Sequence, residues 1–385
     1  MEVALVNAKV LTPSGFAMGK AVLLSGGRIA GVVEAKDAPP GHVRRDLQGG
    51  WLLPGFIDSQ INGGGGVMFN DAPTVESIRA IGAAHRPFGV TGFLPTLIST
   101  ELDTIRQAIQ ATRQALQEGV PGLLGLHIEG PFLNAQRKGI HDASKFRTID
   151  QAAFELLTSL GEGRTLVTLA PEKTSPEMIE RLAAAGVIVS AGHTNAAYAT
   201  IRTALDHGLR GFTHLFNAMS PLTSREPGAV GAALEDQDSW SAIIVDGRHV
   251  DPVVLRLALR TKRHDRFMLV SDAMPCVGSA EKSFVLGGRL ITVRNGVCVD
   301  ERGTLAGSDL DLASAVRNAV SLLGLDLAEA VNMASRNPAE FLGLGEDHGR
   351  IAPGCRADLV LLDEDLQVVD SWIGGSPSGG GAVRG

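Results

Sequence analysis

The chain has 385 residues, of which 44% are hydrophobic and 20% are charged, so it can bury a large core. Its 35 Lys and Arg residues against 42 Asp and Glu residues give a formal charge of −7, which argues against a basic nucleic-acid-binding protein. High apolar content with a small net charge also excludes a wholly disordered chain.

No apolar run approaches the roughly 18 residues that a transmembrane helix needs, so we expect no membrane partner. The first residues, MEVALVNAKV, lack the basic segment that opens a secretory signal peptide. Three widely spaced cysteines without a C-x-x-C pair do not suggest a disulfide scaffold. These features predict a cytoplasmic protein.

Both ends of the chain carry short runs of alternating apolar and polar residues that are typical of β-strands. One such region covers residues 1–52, and the other covers residues 346–373 after a turn at Pro353-Gly354. We predict that they pair into one small β-sandwich domain; the alternative is two unrelated appendages. Residues 374–385, rich in Gly and Ser, are predicted to form a disordered tail.

Residues 53–345 repeat a different pattern, in which a short apolar run is followed by a helical stretch. Eight such units predict an α/β fold with a (β/α)8 TIM-like barrel. A doubly wound open sheet is the alternative, but the four glycines at 63–66 after the first run lack the G-x-G-x-x-G spacing of a nucleotide loop. An insertion after the eighth strand reads as a hairpin that turns at Asn295-Gly296.

Four side chains with metal or acid–base chemistry follow directly after predicted barrel strands. They are Glu129, His193, His214 and Asp272, at the ends of the third, fifth, sixth and eighth strands. Taken singly, each has an ordinary explanation, such as a salt-bridged glutamate or a helix-capping aspartate. Because all strand ends of a barrel meet at one mouth, the set predicts three ligands for a catalytic metal and one proton-transfer carboxylate.

Further motifs accompany these residues in a consistent order from about residue 50 to 340. They read PGFIDSQING, GLHIEGPFLN, GIHDASKF, SAGHTNA, THLFNAMSPL, REPGAVGAAL, DGRHV, SDAM and GTLAGSDL. Together they resemble the N-acetylglucosamine-6-phosphate deacetylases of the amidohydrolase superfamily. The two terminal β-regions also fit the split small domain of that family.

This resemblance implies a role for each matching position. Glu129, His193 and His214 would bind the metal, and Asp272 would be the general base and acid. His141 would contact the substrate beside the scissile amide. The whole substrate-binding set would be Ile140, His141, Asn217, Ala218, Arg225, Asp246, His249, Leu305, Ala306 and Gly307.

The resemblance also implies a homodimer, in which Arg225 and His249 reach the substrate phosphate in the neighbouring subunit. The planar guanidinium of Arg225 can bind two phosphate oxygens at once, which a lysine cannot do. The alternative for Arg225 is a surface salt bridge with Glu226. An unphosphorylated substrate would need neither Arg225 nor His249.

Many amidohydrolases have His-x-His at the end of the first barrel strand, where this chain has Gln60-x-Asn62. Amides are weak ligands, so we expect one divalent metal ion per subunit, with Gln60 and Asn62 orienting water or neighbouring groups. Zn²⁺ suits the ligand set best, although Fe²⁺, Mn²⁺ or Co²⁺ could occupy it. Lys173 and Cys276 lie beyond their strand ends, and we interpret them as a solvated and a packing residue.

The predicted activity is metal-dependent hydrolysis of the N-acetyl group of N-acetylglucosamine 6-phosphate. Two alternatives stay open within hydrolases: the N-acetylgalactosamine 6-phosphate epimer, or another amide. A third alternative is a non-catalytic sensor of amino-sugar phosphates, which would not need a proton-transfer carboxylate beside a metal.

Overall fold

The computed structural model describes residues 2–379. The first of these residues form seven short strands of the small domain. They are β1 (Val3–Val6), β2 (Lys9–Thr12), β3 (Gly15–Ala17), β4 (Lys20–Ser25), β5 (Arg28–Glu34), β6 (Val43–Asp46) and β7 (Trp51–Pro54).

The central region alternates strands and helices, as the repeating pattern predicted. Its elements are β8 (Phe56–Ile61), β9 (Gly63–Gly64), β10 (Val67–Met68), α1 (Val75–His85), β11 (Val90–Ile98), α2 (Leu102–Gln117), β12 (Gly125–Glu129), α3 (Gln151–Leu157), β13 (Arg164–Leu169), α4 (Pro176–Ala184), β14 (Ile188–Ala191), α5 (Tyr198–Asp206), β15 (Leu209–Phe212), α6 (Gly228–Glu235), β16 (Trp240–Ile243), α7 (Pro252–Thr261) and β17 (Phe267–Leu269).

The remaining elements comprise an inserted sheet, three helices and the last strands of the small domain. They are β18 (Ser283–Leu286), β19 (Arg289–Arg294), β20 (Val297–Val299), β21 (Leu305–Ser308), α8 (Leu312–Leu323), α9 (Leu327–Ala334), α10 (Arg336–Phe341), β22 (Leu359–Leu362), β23 (Val368–Ile373) and β24 (Ser376–Pro377). No helix in the described chain is both long and apolar enough to cross a lipid bilayer.

The eight barrel strands pair in parallel, in the order β17-β16-β15-β14-β13-β12-β11-β8. The ring closes where Ile61, at the end of β8, forms a parallel bridge with Ala273, just beyond β17. Asn62 N also donates to Ala273 O at 2.9 Å. The barrel prediction is therefore confirmed, and the doubly wound open sheet is wrong because these contacts join the two edge strands.

Local sequence explains where several barrel helices begin and end. Thr74, Asp150, Ser175 and Asp311 each cap a helix, because the side-chain oxygen accepts the backbone N–H three residues on. Helix α8 ends at Gly324, whose φ of 74° is the left-handed conformation that glycine adopts without strain.

The inserted sheet β18–β21 is antiparallel and contains the hairpin that the sequence predicted. Asn295 and Gly296 join β19 to β20 as a two-residue loop, with φ values of 53° and 81°. Two consecutive positive φ angles match the twist of the flanking strands, and Asn-Gly is the dipeptide that adopts them most readily. This sheet brings β21 to the mouth of the barrel.

The two terminal regions do pair into one β-domain. Strand β7 lies antiparallel to β22 in a six-stranded sheet of order β24-β23-β22-β7-β2-β3. It packs against the four-stranded sheet β5-β4-β1-β6 over an apolar cluster that includes Leu5, Val22, Leu359 and Trp372. Each part leaves apolar residues that only the other part covers, which favours joint folding.

The predicted disordered tail requires a correction for its first residues. Ser376–Pro377 pairs with β23 through Trp372↔Pro377 and Ile373↔Ser376, because Gly374 and Gly375 supply the positive φ angles of a tight turn. The rest of that prediction, residues 380–385, lies outside the described residues.

Gly125 at the start of β12 offers a test of the barrel packing. A Cβ at this position would lie 1.9 Å from Arg164 O, and its φ is 155°. We expect Gly125→Ala to lower the free energy of unfolding by about 3 kcal/mol or more, since the adjacent strand must move. Gly161→Ala is the matched control, because Gly161 has a φ of 82° but open space around it. It should cost only about 1 kcal/mol. Urea denaturation measures both; equal losses would contradict the steric explanation.

Candidate active site and metal centre

Three side chains meet in the mouth of the barrel. Glu129 ends β12, while His193 and His214 each follow two residues after their strands, β14 and β15. Glu129 Oε1 lies 3.1 Å from His193 Nε2 and 2.9 Å from His214 Nε2, and the two nitrogens are 3.1 Å apart. All three residues are buried. Within residues 2–379 they are the one group of His, Cys, Asp and Glu placed to hold an ion.

The backbone at these positions is unusual. His193, His214 and Asp272 have φ angles of 47°, 33° and 51°, which residues other than glycine seldom adopt. Such conformations cost of order 1–3 kcal/mol each and persist only where surrounding contacts impose them. Their concentration at one site indicates that the fold tolerates a loss of folding free energy in order to direct these side chains inward.

The hydrogen bonds around the histidines test whether a cation fits. His193 Nδ1 donates to the carbonyl oxygen of Arg137 at 2.8 Å, because a carbonyl can only accept. In the neutral ring the lone pair is then on Nε2, facing the Glu129 carboxylate. Burial opposes a charge on Glu129, but the two histidines hold its pKa well below the usual range. An anion and imidazole lone pairs at this spacing fit a shared divalent cation.

Asp272 lies next to this group and is held by two amides. Asn62 Nδ2 donates to Asp272 Oδ1 at 2.7 Å, and Gln60 Nε2 donates to the same oxygen at 3.2 Å and to Glu129 Oε2 at 3.1 Å. Gln60 thus links the two carboxylates. Burial, followed by the negative charge of Glu129, raises the pKa of Asp272 to about 6. A carboxylate with a pKa nearer to neutrality is a better general base.

Ser308 and Asp58, two further residues that sequence reasoning missed, hold the backbone around Asp272. Ser308 Oγ donates to Ser271 O at 2.5 Å, and Ser308 N donates to Asp272 O at 2.9 Å. Below them, the buried carboxylate of Asp58 accepts from Ser271 N at 3.3 Å and from Gln60 N at 3.1 Å. An acidic residue within the predicted first barrel strand was the one signal that could have identified Asp58.

A cavity of about 370 Å³ opens above these groups. Besides the metal-centre residues, Asp272 and Asn62, it is lined by seven residues of the predicted substrate set: Ile140, His141, Asn217, Ala218, His249, Leu305 and Gly307. Sequence reasoning missed other lining residues, including Ile98, Gln136, Arg137, Ile244, Met274 and Thr304.

Three members of the predicted set lie elsewhere. Ala306 points away from the cavity into an apolar cluster, because successive residues of strand β21 face opposite sides. Asp246 is behind His249 and binds its Nδ1 through Oδ2 at 2.6 Å, so it orients the imidazole. Arg225 is exposed on the segment before α6. The alternative for Arg225, a salt bridge with Glu226, is not formed among the described residues. The Glu226 carboxylate instead accepts from the backbone nitrogens of Tyr198 and Gly228.

The expectation for His249 also needs correction. It was expected to reach the neighbouring subunit, but it lines the cavity of its own chain together with Glu129 and Asp272. The loop after β16 turns back through Asp246, which accepts from His249 N at 2.8 Å and so folds the histidine inward.

Cys276 was interpreted as a packing residue, and this is confirmed by its burial in an apolar cluster with Met274 and Cys298.

Glu129→Gln tests the metal centre directly. The amide removes the anion between the two histidines, so we expect Zn²⁺ affinity to fall by more than about 100-fold. Glu172→Gln is the matched control, since Glu172 also follows a barrel strand but binds Asn134 and Thr194 instead. Zinc content after dialysis against a weak chelator measures both. Full zinc retention by Glu129→Gln would rule out this ligand.

Comparison with known proteins identifies the family of this chain. A model described as Amidohydrolase family matches residues 51–379. An N-acetylgalactosamine-6-phosphate deacetylase from Shewanella sp. (strain ANA-3) is 44% identical over 375 residues, covering 96% of this chain and 94% of that protein.

Two solved structures match almost the whole fold. The crystal structure of N-acetylglucosamine-6-phosphate deacetylase from Pasteurella multocida is 35% identical with a TM-score of 0.95, covering 98% of this chain and 99% of that one. A mutant of the deacetylase from Mycobacterium smegmatis, in complex with N-acetyl-D-glucosamine-6-phosphate, is 33% identical with a TM-score of 0.90 and the same coverage. The chain therefore belongs to the amidohydrolase family, and its similarity to amino-sugar-6-phosphate deacetylases extends over nearly its full length.

Proposed function

We propose that this protein hydrolyses the N-acetyl group of an amino-sugar 6-phosphate, with N-acetylglucosamine 6-phosphate as the first candidate, releasing acetate and the free amine. The observation that carries the proposal is the convergence of Glu129, His193 and His214 with Asp272 in one cavity. N-acetylgalactosamine 6-phosphate, which differs only in the configuration at C4, is the second candidate, because the Shewanella relative at 44% identity carries that name.

Glu129, His193 and His214 would hold one divalent ion, for which Zn²⁺ is our proposal. When bound, such an ion polarises the amide carbonyl and lowers the pKa of water from 15.7 towards about 7. Gln60 and Asn62 offer amide groups where binuclear relatives have histidines, and both amides donate to Asp272. That arrangement favours a single metal.

Asp272 would carry the proton through the reaction. As water adds to the carbonyl carbon, the Asp272 carboxylate accepts its proton; as the C–N bond breaks, Asp272 returns that proton to the amine nitrogen. A carboxylate held by two amide donors stays in place for both transfers. A sugar-phosphate sensor would have no use for this group, so we favour an enzyme.

His249 would bind the phosphate within the same chain, oriented by Asp246. Asn217 and Ala218 line the same cavity and would help hold the sugar phosphate. Arg225 would reach the phosphate in the neighbouring subunit of a homodimer, because it is exposed and lies outside its own cavity.

An apolar surface beside Arg225 supports the dimer. Leu222 is 57% exposed, and Val253, Val254 and Leu257 of α7 are 53%, 37% and 54% exposed. Three of these residues, Leu222, Val254 and Leu257, line a groove of about 430 Å³. Contiguous exposed apolar surface of this kind marks interaction sites, and a two-fold axis here would carry Arg225 towards the partner.

We also propose the cytoplasm as the location, since Cys276, Cys298 and Cys355 are free thiols.

Acetate release by the zinc-loaded protein tests the function. We expect turnover of N-acetylglucosamine 6-phosphate, of its C4 epimer, or of both, with negligible turnover of unphosphorylated N-acetylglucosamine. Asp272→Asn should keep its zinc but lose about 100- to 10,000-fold in kcat, because the proton acceptor is gone. Asp347→Asn, far away at a salt bridge with Arg28, should behave as wild type. Near-normal turnover by Asp272→Asn would show that Asp272 is not the base.

Mixing two impaired variants tests the role of Arg225. Arg225→Ala should raise KM for the phosphorylated substrate, and Asp272→Asn should be nearly inactive. If Arg225 acts across the dimer, co-refolded mixtures should regain about one quarter of wild-type activity, since half of the dimers are mixed and each has one intact site. If Arg225 acts within its own chain, mixing should restore nothing.

A further inference from the structure

The cavity residue His141 lies against Ser99, the first residue after strand β11. Ser99 Oγ is 2.7 Å from His141 Nδ1, and the backbone nitrogen of Ser99 is 3.4 Å from the same atom. A backbone N–H can only donate, so Nδ1 must accept and cannot carry a hydrogen. The hydrogen of the neutral imidazole is therefore on Nε2.

Neighbouring elements hold Ser99 in this position. Asn70 binds the preceding residue, because its Oδ1 accepts from Ile98 N at 2.9 Å and its Nδ2 donates to Ile98 O at 3.0 Å. Gly130 makes room for the hydroxyl, since a Cβ there would lie 2.3 Å from Ser99 Oγ. The serine contact is thus built by three separate segments of the chain.

We propose that Ser99 is a positioning residue that fixes the tautomer of His141, so that His141 presents an Nε2–H donor to the cavity. The proposal rests on the proposed function, in which the acetyl carbonyl lies beside His141. When water adds to the carbonyl carbon, the π electron pair moves onto the oxygen, and a preorganised donor stabilises that charge. The hydrogen stays on His141 throughout. The other tautomer would place a lone pair against the developing negative charge.

Kinetics of three zinc-loaded variants test the contribution of Ser99. Ser99→Ala removes the hydroxyl, leaving the longer backbone contact alone, so we expect kcat to fall about tenfold with KM unchanged. Ser99→Thr keeps the hydroxyl and should recover most of kcat. Ser335→Ala is the control: Ser335 is also a hydrogen-bonding serine, donating to Val331 O, but it is fully buried and lies outside the cavity, whereas Ser99 is half-buried. It should retain wild-type kcat.

The tautomer can be read without any turnover, from ¹⁵N NMR of histidine-labelled, zinc-loaded protein. His141→Gln assigns the His141 signals by difference. We expect an unprotonated Nδ1 and a protonated Nε2 in the wild type. In Ser99→Ala, where only the 3.4 Å backbone contact still favours this tautomer, we expect a detectable population with a protonated Nδ1. A protonated Nδ1 in the wild type, or wild-type kcat in Ser99→Ala, would overturn the proposal. If no amino-sugar phosphate is hydrolysed, the proposed function fails, while the NMR result still decides the tautomer.

Discussion

The site depends on one contact: the Glu129 carboxylate, withdrawn from water, faces two imidazole nitrogens at 3.1 and 2.9 Å. A buried anion beside lone pairs is costly unless a cation or proton lies between them. Two neighbouring groups at the barrel mouth hold these side chains in place. Arg137 O fixes the ring of His193, and Gln60 satisfies the second oxygen of Glu129.

Rigidity around the site comes from short polar contacts between segments that are distant in sequence. Asp272 is held through its side chain by Asn62 and Gln60, and through its backbone by Ser308. Ser308 belongs to the inserted sheet, so this insertion closes the barrel at its mouth as well as covering it. The left-handed backbone at Asp272 persists because contacts on both sides impose it.

Local sequence patterns were sufficient to predict those features that depend only on residues close together in the chain or on their position after a strand. The period of apolar runs predicted eight barrel units, Asn295-Gly296 predicted its hairpin, and the position of Glu129, His193, His214 and Asp272 after strands predicted that they meet. The barrel itself makes the last inference possible, because parallel strands end on one face. Ser99 and Ser308 were invisible to this reasoning, since their partners lie 42 and 37 residues away along the chain.

By itself, the sequence predicted the fold class, the split small domain and the four residues that converge at the barrel mouth, because periodicity and strand-end position are encoded residue by residue. The tertiary structure alone decided which cavity His249 lines, that Asp246 orients it, and that Ala306 faces away from that cavity. It also decided that Ser99 contacts Nδ1 of His141. These depend on strand register and on which loop packs against which, and both are set by long-range packing rather than by local propensity.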